Sequence, residues 1–111
     1  MRPMQPDHLQ FARQTLAQFT DAAIQRLSVS GDFVYRYTLS VADIKGTLGL
    51  ARLKSSVIED YIGFFSMNGC STSYNEQYEA FNIEINLNSV VLSPYQAEGL
   101  STAMAHFRAN N

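Results

Sequence analysis

The alternation in "FNIEINL", residues 81–87, is the sharpest pattern in the chain: Phe81, Ile83, Ile85 and Leu87 are apolar, and Asn82, Glu84 and Asn86 between them are polar. A period of two buries one face of a β-strand and leaves the other in water. "DFVYRYTL" (residues 32–39) repeats it, with Phe33, Tyr35, Tyr37 and Leu39 on one side and Arg36 on the other. From about Pro6 to Ser28 the period changes. Leu9, Ala12, Leu16, Phe19, Ala23 and Leu27 recur at spacings of three and four, the stripe of an amphipathic helix. Asp7 and Gln10 have the form of a capping box, and "SVSG" (residues 28–31) ends the helix at Gly31. About 20 helical residues span roughly 30 Å, long for so small a chain. Phe11 and Ile24 lie off the stripe and call for a second buried face, such as a partner subunit supplies.

"SVAD" (residues 40–43) restarts a helix with Ser40 as N-cap, and Ile44 and Leu48 lie on its inner face. Gly49 interrupts the run. Ser56 and Glu59 form a further cap, opening "VIEDYIGFFSMNG", whose inward stripe is Ile58, Tyr61, Ile62 and Phe65 and whose stop is Asn68-Gly69. "CSTSY" (residues 70–74), a turn at "NEQ" (residues 75–77) and "YEAFNIEINL" predict a β-hairpin. "SPYQ" (residues 93–96) then gives Ser at the N-cap, Pro at the first helical position and Gln at the third. The last helix turns Ala97, Leu100, Ala103, Met104 and Phe107 inward, and Gly99 within it costs about 1 kcal/mol against Ala. The expected fold is therefore α+β, a single domain over residues 1–111 in the order α-β-α-α-β-β-α, with a β-hairpin and long terminal helices.

Composition narrows the class. With 111 residues and 46% hydrophobic side chains, the chain has material for a modest core without metal or disulfide staples. Its single Cys70 has no intramolecular partner, which fits a reducing compartment, and with no His or cluster of bases beside it in sequence it reads as a small half-buried side chain rather than a reactive thiol. No apolar run at the start suits a signal peptide, and nowhere do 18 apolar residues run together, so the expectation is a cytoplasmic protein without a membrane span. Catalytic and cofactor constellations are missing from the sequence. His8 and His106 lie near opposite ends and read as surface helix residues. No Cys/His spacing suits zinc, and Gly46 and Gly49 match no phosphate-binding loop. The expectation is a non-enzymatic protein that needs no cofactor.

Charge is uneven. The formal net charge is −2, yet residues 1–54 hold seven of the eight bases, and residues 55–107 contain neither Lys nor Arg. If the halves separate in space, the domain has two faces of opposite sign.

A strand, two helices around a glycine-containing turn, then a hairpin: over residues 32–88 this order resembles a winged helix-turn-helix domain, with a helix added at each end. Ile44, Leu48, Gly49 and Leu50 stand where the motif wants apolar, apolar, glycine and apolar residues, and Ile58 and Tyr61 fit inward positions of the second helix. Lys45 stands where the motif usually has a small residue. The resemblance implies that the second helix lies in the DNA major groove while the hairpin, or wing, touches the flanking backbone. It also implies a role for the cations ahead of that helix. Arg36, Lys45, Arg52 and Lys54 would hold phosphates, Ser55 and Ser56 would approach bases, and Asn75 and Gln77 would add contacts from the wing. The expectation is a DNA-binding transcriptional regulator, homodimeric through its terminal helices. The alternative is an adaptor or inhibitor that docks a basic protein through Glu59, Asp60, Glu76, Glu79 and Glu84.

Overall fold

The computed structural model describes residues 3–111. Four helices and a three-stranded antiparallel sheet follow in the expected order: α1 (Pro6–Ser30), β1 (Val34–Ser40), α2 (Val41–Leu48), α3 (Ser55–Met67), β2 (Ser71–Asn75), β3 (Ala80–Asn86) and α4 (Pro94–Ala109). The strand order is β1-β3-β2, so "FNIEINL" supplies the central strand. Its alternation holds: Phe81, Ile83 and Ile85 are fully buried, and Leu87 continues the face. β1 pairs with β3 in a register that sets Tyr35, Tyr37 and Leu39 opposite Ile85, Ile83 and Phe81. Both strands thus turn their apolar side toward the helices. Burying each of these side chains contributes roughly 1.5 to 3 kcal/mol, as an upper bound.

The helices close over that face. Tyr61 and Phe65 of α3, Ile44 of α2 and Leu27 of α1 are almost completely buried. Phe19 of α1 stacks on Tyr37 of β1 with ring centroids 4.7 Å apart. The loop after β3 is tied back to α3, where the Val91 amide donates to the Asn68 carbonyl. Gly69, at φ 84°, makes this approach possible, because a Cβ there would fall 2.1 Å from the Ser89 carbonyl oxygen.

α1 also carries α4. Gln96 donates to Asp21, Gly99 lies beside Ile24, and Phe107 covers Gly31, where a Cβ would fall 2.4 Å from its ring. Contacts in this order make the two helices parallel, α4 lying along the C-terminal part of α1. They also answer the demand for a second buried face. Ile24 is buried, beside α4, and Phe11 meets Tyr61 edge to face at 6.5 Å, so neither needs a partner subunit. The long helix stretches the domain to 49 × 28 × 22 Å. Its radius of gyration, 15.1 Å, exceeds the roughly 13 Å expected of a compact chain of this length.

Several local expectations give way. α1 begins at Pro6, whose fixed φ starts the helix early, with Gln5 as an N-cap that makes no side-chain bond. Asp7 is thereby drawn inside the first turn, where it accepts the His8 amide instead of capping with Gln10. α3 begins at Ser55 with Lys54 at the N-cap, so Ser56 and Glu59 form no cap. The hairpin turn covers residues 76–79 rather than 75–77, because Glu79 takes a left-handed φ of 48° to close it. Ala97 of α4 faces water, one turn before the strip that meets α1. Cys70 is buried rather than half-buried. His8 is 3% exposed, not on the surface, and its Nδ1 lies 2.7 Å from the Tyr61 hydroxyl.

Candidate nucleic-acid interface

The segment between α2 and α3 concentrates positive charge around an open helix end. α2 is capped by Ser40, whose Oγ accepts the Asp43 amide, and ends at Gly49. Lys45 lies half-buried in its last turn, while Arg52 and Lys54 stand exposed on the connection to α3. None of the three forms an ion pair among the described residues. α3 then starts without a side-chain cap and without an acid in its first turn. Its first amides that close on a carbonyl are those of Val57 and Ile58, both on Lys54. The N–H groups of Ser55 and Ser56 have no partner among the described residues, and both residues are exposed. An uncapped helix start carries about half a positive charge and points donors at whatever approaches, which suits a phosphate oxygen.

The same helix is closed at its other end. The Asn68 side chain donates to the Phe64 carbonyl, and the amides of Asn68, Gly69 and Cys70 return to residues 64–66. Val57, Tyr61 and Phe65 anchor the inner face of α3 in the core. Ser55, Ser56, Glu59 and Gly63 lie on its exposed side. The Tyr61 phenol is held strongly protonated by burial and, secondarily, by the negative charge of Asp7. It thus stays a neutral partner for His8 and pins the start of α1 to the middle of α3.

The other sequence-predicted residues lie elsewhere. Arg36 is on the outer face of the sheet, directly opposite Glu84 in the β1–β3 register, and pairs with it at 3.2 Å. Asn75 ends β2 and turns its Oδ1 inward to accept the Tyr78 amide, so it shapes the hairpin tip. Gln77 is exposed at that tip, together with Glu76, Glu79 and a Tyr78 that is 73% exposed. Partial burial and then the charges of Glu79 and Glu76 raise the pKa of Tyr74. Glu59 is exposed one turn into α3, and Asp60 is half-buried on the same helix. The tip is fixed to the helix pair, because the Val41 amide at the start of α2 donates to the Glu79 carbonyl.

The structure therefore brings Lys45, Arg52, Lys54, Ser55 and Ser56 onto one helix-connection-helix segment. It assigns Arg36 and Glu84 to each other. Two features escaped the sequence reading. One is the His8–Tyr61 contact, although His8 lies four residues before Ala12 and in phase with the α1 stripe. The other is a groove between α1 and α3, which no spacing announces. No group of three His, Cys, Asp or Glu side chains among the described residues could hold a metal ion, and no described helix is long and apolar enough to cross a membrane. No protein-family model, curated protein or solved structure matches the chain.

Proposed function

We propose that this domain is a winged helix-turn-helix module that binds double-stranded DNA and regulates transcription, with no catalytic activity of its own. The observation that carries the reading is the open N-terminus of α3, which follows directly on Arg52 and Lys54. The strand order adds support. With β1 paired to β3 and β2 at the far edge, the β2–β3 hairpin follows α3 as a wing follows a recognition helix. In this mechanism Arg52, Lys54 and Lys45 neutralise phosphates, the Ser55 and Ser56 amides take a phosphate oxygen, and their hydroxyls approach base edges. Gln77 contributes from the tip. Arg36 exchanges its Glu84 partner for phosphate only if DNA reaches the sheet face. α4 supports a homodimer through the terminal helices, because Ala103 is its only buried residue while Leu100, Met104 and Phe107 are half-covered. A cytoplasmic location accords with this role.

A second reading is favoured by one feature: Glu59 on the exposed side of α3 and Glu76 and Glu79 at the hairpin tip put carboxylates on the elements that would meet DNA. In that reading the domain docks a basic protein through these acids and Asp60. Fluorescence anisotropy with a mixed-sequence labelled duplex at two salt concentrations separates the two. The DNA reading predicts binding that weakens with salt and weakens about tenfold or more in Arg52→Ala/Lys54→Ala. No binding at low salt would leave the acidic docking module.

A further inference from the structure

Two adjoining cavities run between α1 and α3, and neither belongs to the α2–α3 connection. The larger, about 680 Å³, has an apolar lining that includes Met4, Leu9, Phe64 and Met67. The smaller, about 260 Å³, lies toward the start of α4 and has Thr20, Asn68 and Gln96 in its wall. Arg13, Phe64 and Asn68 line both, so the two form one groove along successive turns of α1. Its size is that of a small-molecule site.

Three features set this groove apart from a packing gap. Met67 is 79% exposed and Gly63 has no side chain, so the wall on α3 is left uncovered; a Cβ at Gly63 would meet nothing within 4 Å. Arg13 has no ion-pair partner among the described residues, although it stands at the junction. Thr20, in the wall of the smaller cavity, is 1% exposed, and its hydroxyl has no hydrogen-bond partner. A buried hydroxyl without a partner is costly and uncommon in a native fold.

We propose that the groove binds a small amphiphilic anion, with its apolar body in the larger cavity and its anionic head beside Arg13 in the smaller one. The acids fix this direction. Glu59, exposed on α3, lines the larger cavity, whereas among the described residues no acid lines the smaller, the nearby Asp21 being held by Gln96, so an anionic head is repelled from one end and received at the other. The Arg13 guanidinium supplies a forked donor for a carboxylate. The Asn68 and Gln96 amides, which already donate once each to the Phe64 carbonyl and to Asp21, make that end polar, with the unpartnered Thr20 hydroxyl buried in its wall. Binding here stands independently of the DNA reading. Because α3 forms one wall, an occupant also bears on the helix that the DNA reading sets against the duplex.

The test is an amide NMR titration of the full chain with sodium octanoate and, separately, 1-octanol, which shares the tail and lacks the charge. Saturable shifts at Thr20, Gly63, Phe64 and Asn68 are expected with both. Arg13→Gln is expected to weaken octanoate about tenfold and leave 1-octanol unchanged. Gly63→Leu, which fills the larger cavity, is expected to weaken both, with melting curves confirming that each variant is folded. An absence of saturable shifts would overturn the site. So would unchanged affinities in Gly63→Leu, or an equal loss for both ligands in Arg13→Gln.

Discussion

The starts of α3 and α4 are built in opposite ways. At α4 the Ser93 Oγ accepts the Gln96 amide, the Gln96 side chain accepts the Ser93 amide, and its Nε2 reaches across to Asp21 of α1. Pro94 brings no donor to that turn, the Gln96 and Ala97 amides are both met by Ser93, and the Gln96 side chain also fixes the helix to its neighbour. At α3 the cap position holds Lys54, no side chain answers the first amides, and the nearest charges upstream are positive. An uncapped start forgoes roughly 1 kcal/mol of helix stability. A chain with Ser at the cap of α2 and of α4 leaves the start of α3 open where cations gather, whereas at α1, whose N-cap Gln5 makes no side-chain bond either, Asp7 accepts the His8 amide. The contrast separates a helix end used for holding the fold from one available to a ligand.

The largest effect is expected from the core strand itself, whose apolar face the hydrophobic core is built on. Ile83, fully buried in the central strand, faces the helices. Ile83→Asp forces either a buried carboxylate or its protonation, and unfolding at ambient temperature is expected. Circular dichroism showing an unchanged melting curve would place that face outside the core.

Alkaline pH acts next, through the closed end of α3. The Cys70 thiol is pushed up to about 11 from 9.0 by burial. Above pH 9 the unfolded chain loses this proton first, so the folded state loses stability as pH rises from about 9 to 11. Below pH 9 this group contributes no slope. Cys70→Ala is expected to flatten that part of the profile in denaturant midpoints measured across the range, after allowance for Tyr61, whose raised pKa adds loss at higher pH.

A finer test compares two serines directly. Ser93→Ala removes half of a capping box and is expected to cost about 1 kcal/mol. Ser56→Ala, on the exposed first turn of α3, is expected to change stability by less than about 0.5 kcal/mol. Denaturant melts of the two variants side by side measure the difference, and equal costs would show that the start of α3 has a cap after all.

How much of this was legible in the sequence follows from how local each signal is. The period-two strands, the Ser93–Pro94–Gln96 start and the Gly31 stop all declare themselves within a few residues, and they stand as expected. The cap of α1 was misplaced because Pro6 and Asp7 compete for the same start, and Pro decides by its fixed φ. The burial of His8 depends on Tyr61, 53 residues away, and the partnering of Arg36 depends on a strand register that only the folded sheet sets. A polar residue in phase with an apolar stripe was the available clue to His8. The groove had none, since a gap between helices is a property of their packing and not of any one segment.

The open start of α3 is tested most directly by Lys54→Asp, read twice on the same protein. The backbone at Lys54 is extended, φ −71° and ψ 151°, as an N-cap requires, so Asp there can close the helix start. The account predicts a melting temperature higher by several degrees, together with duplex affinity at least about tenfold weaker in low salt. A variant that is stabilised yet binds the duplex as tightly as the parent would contradict it.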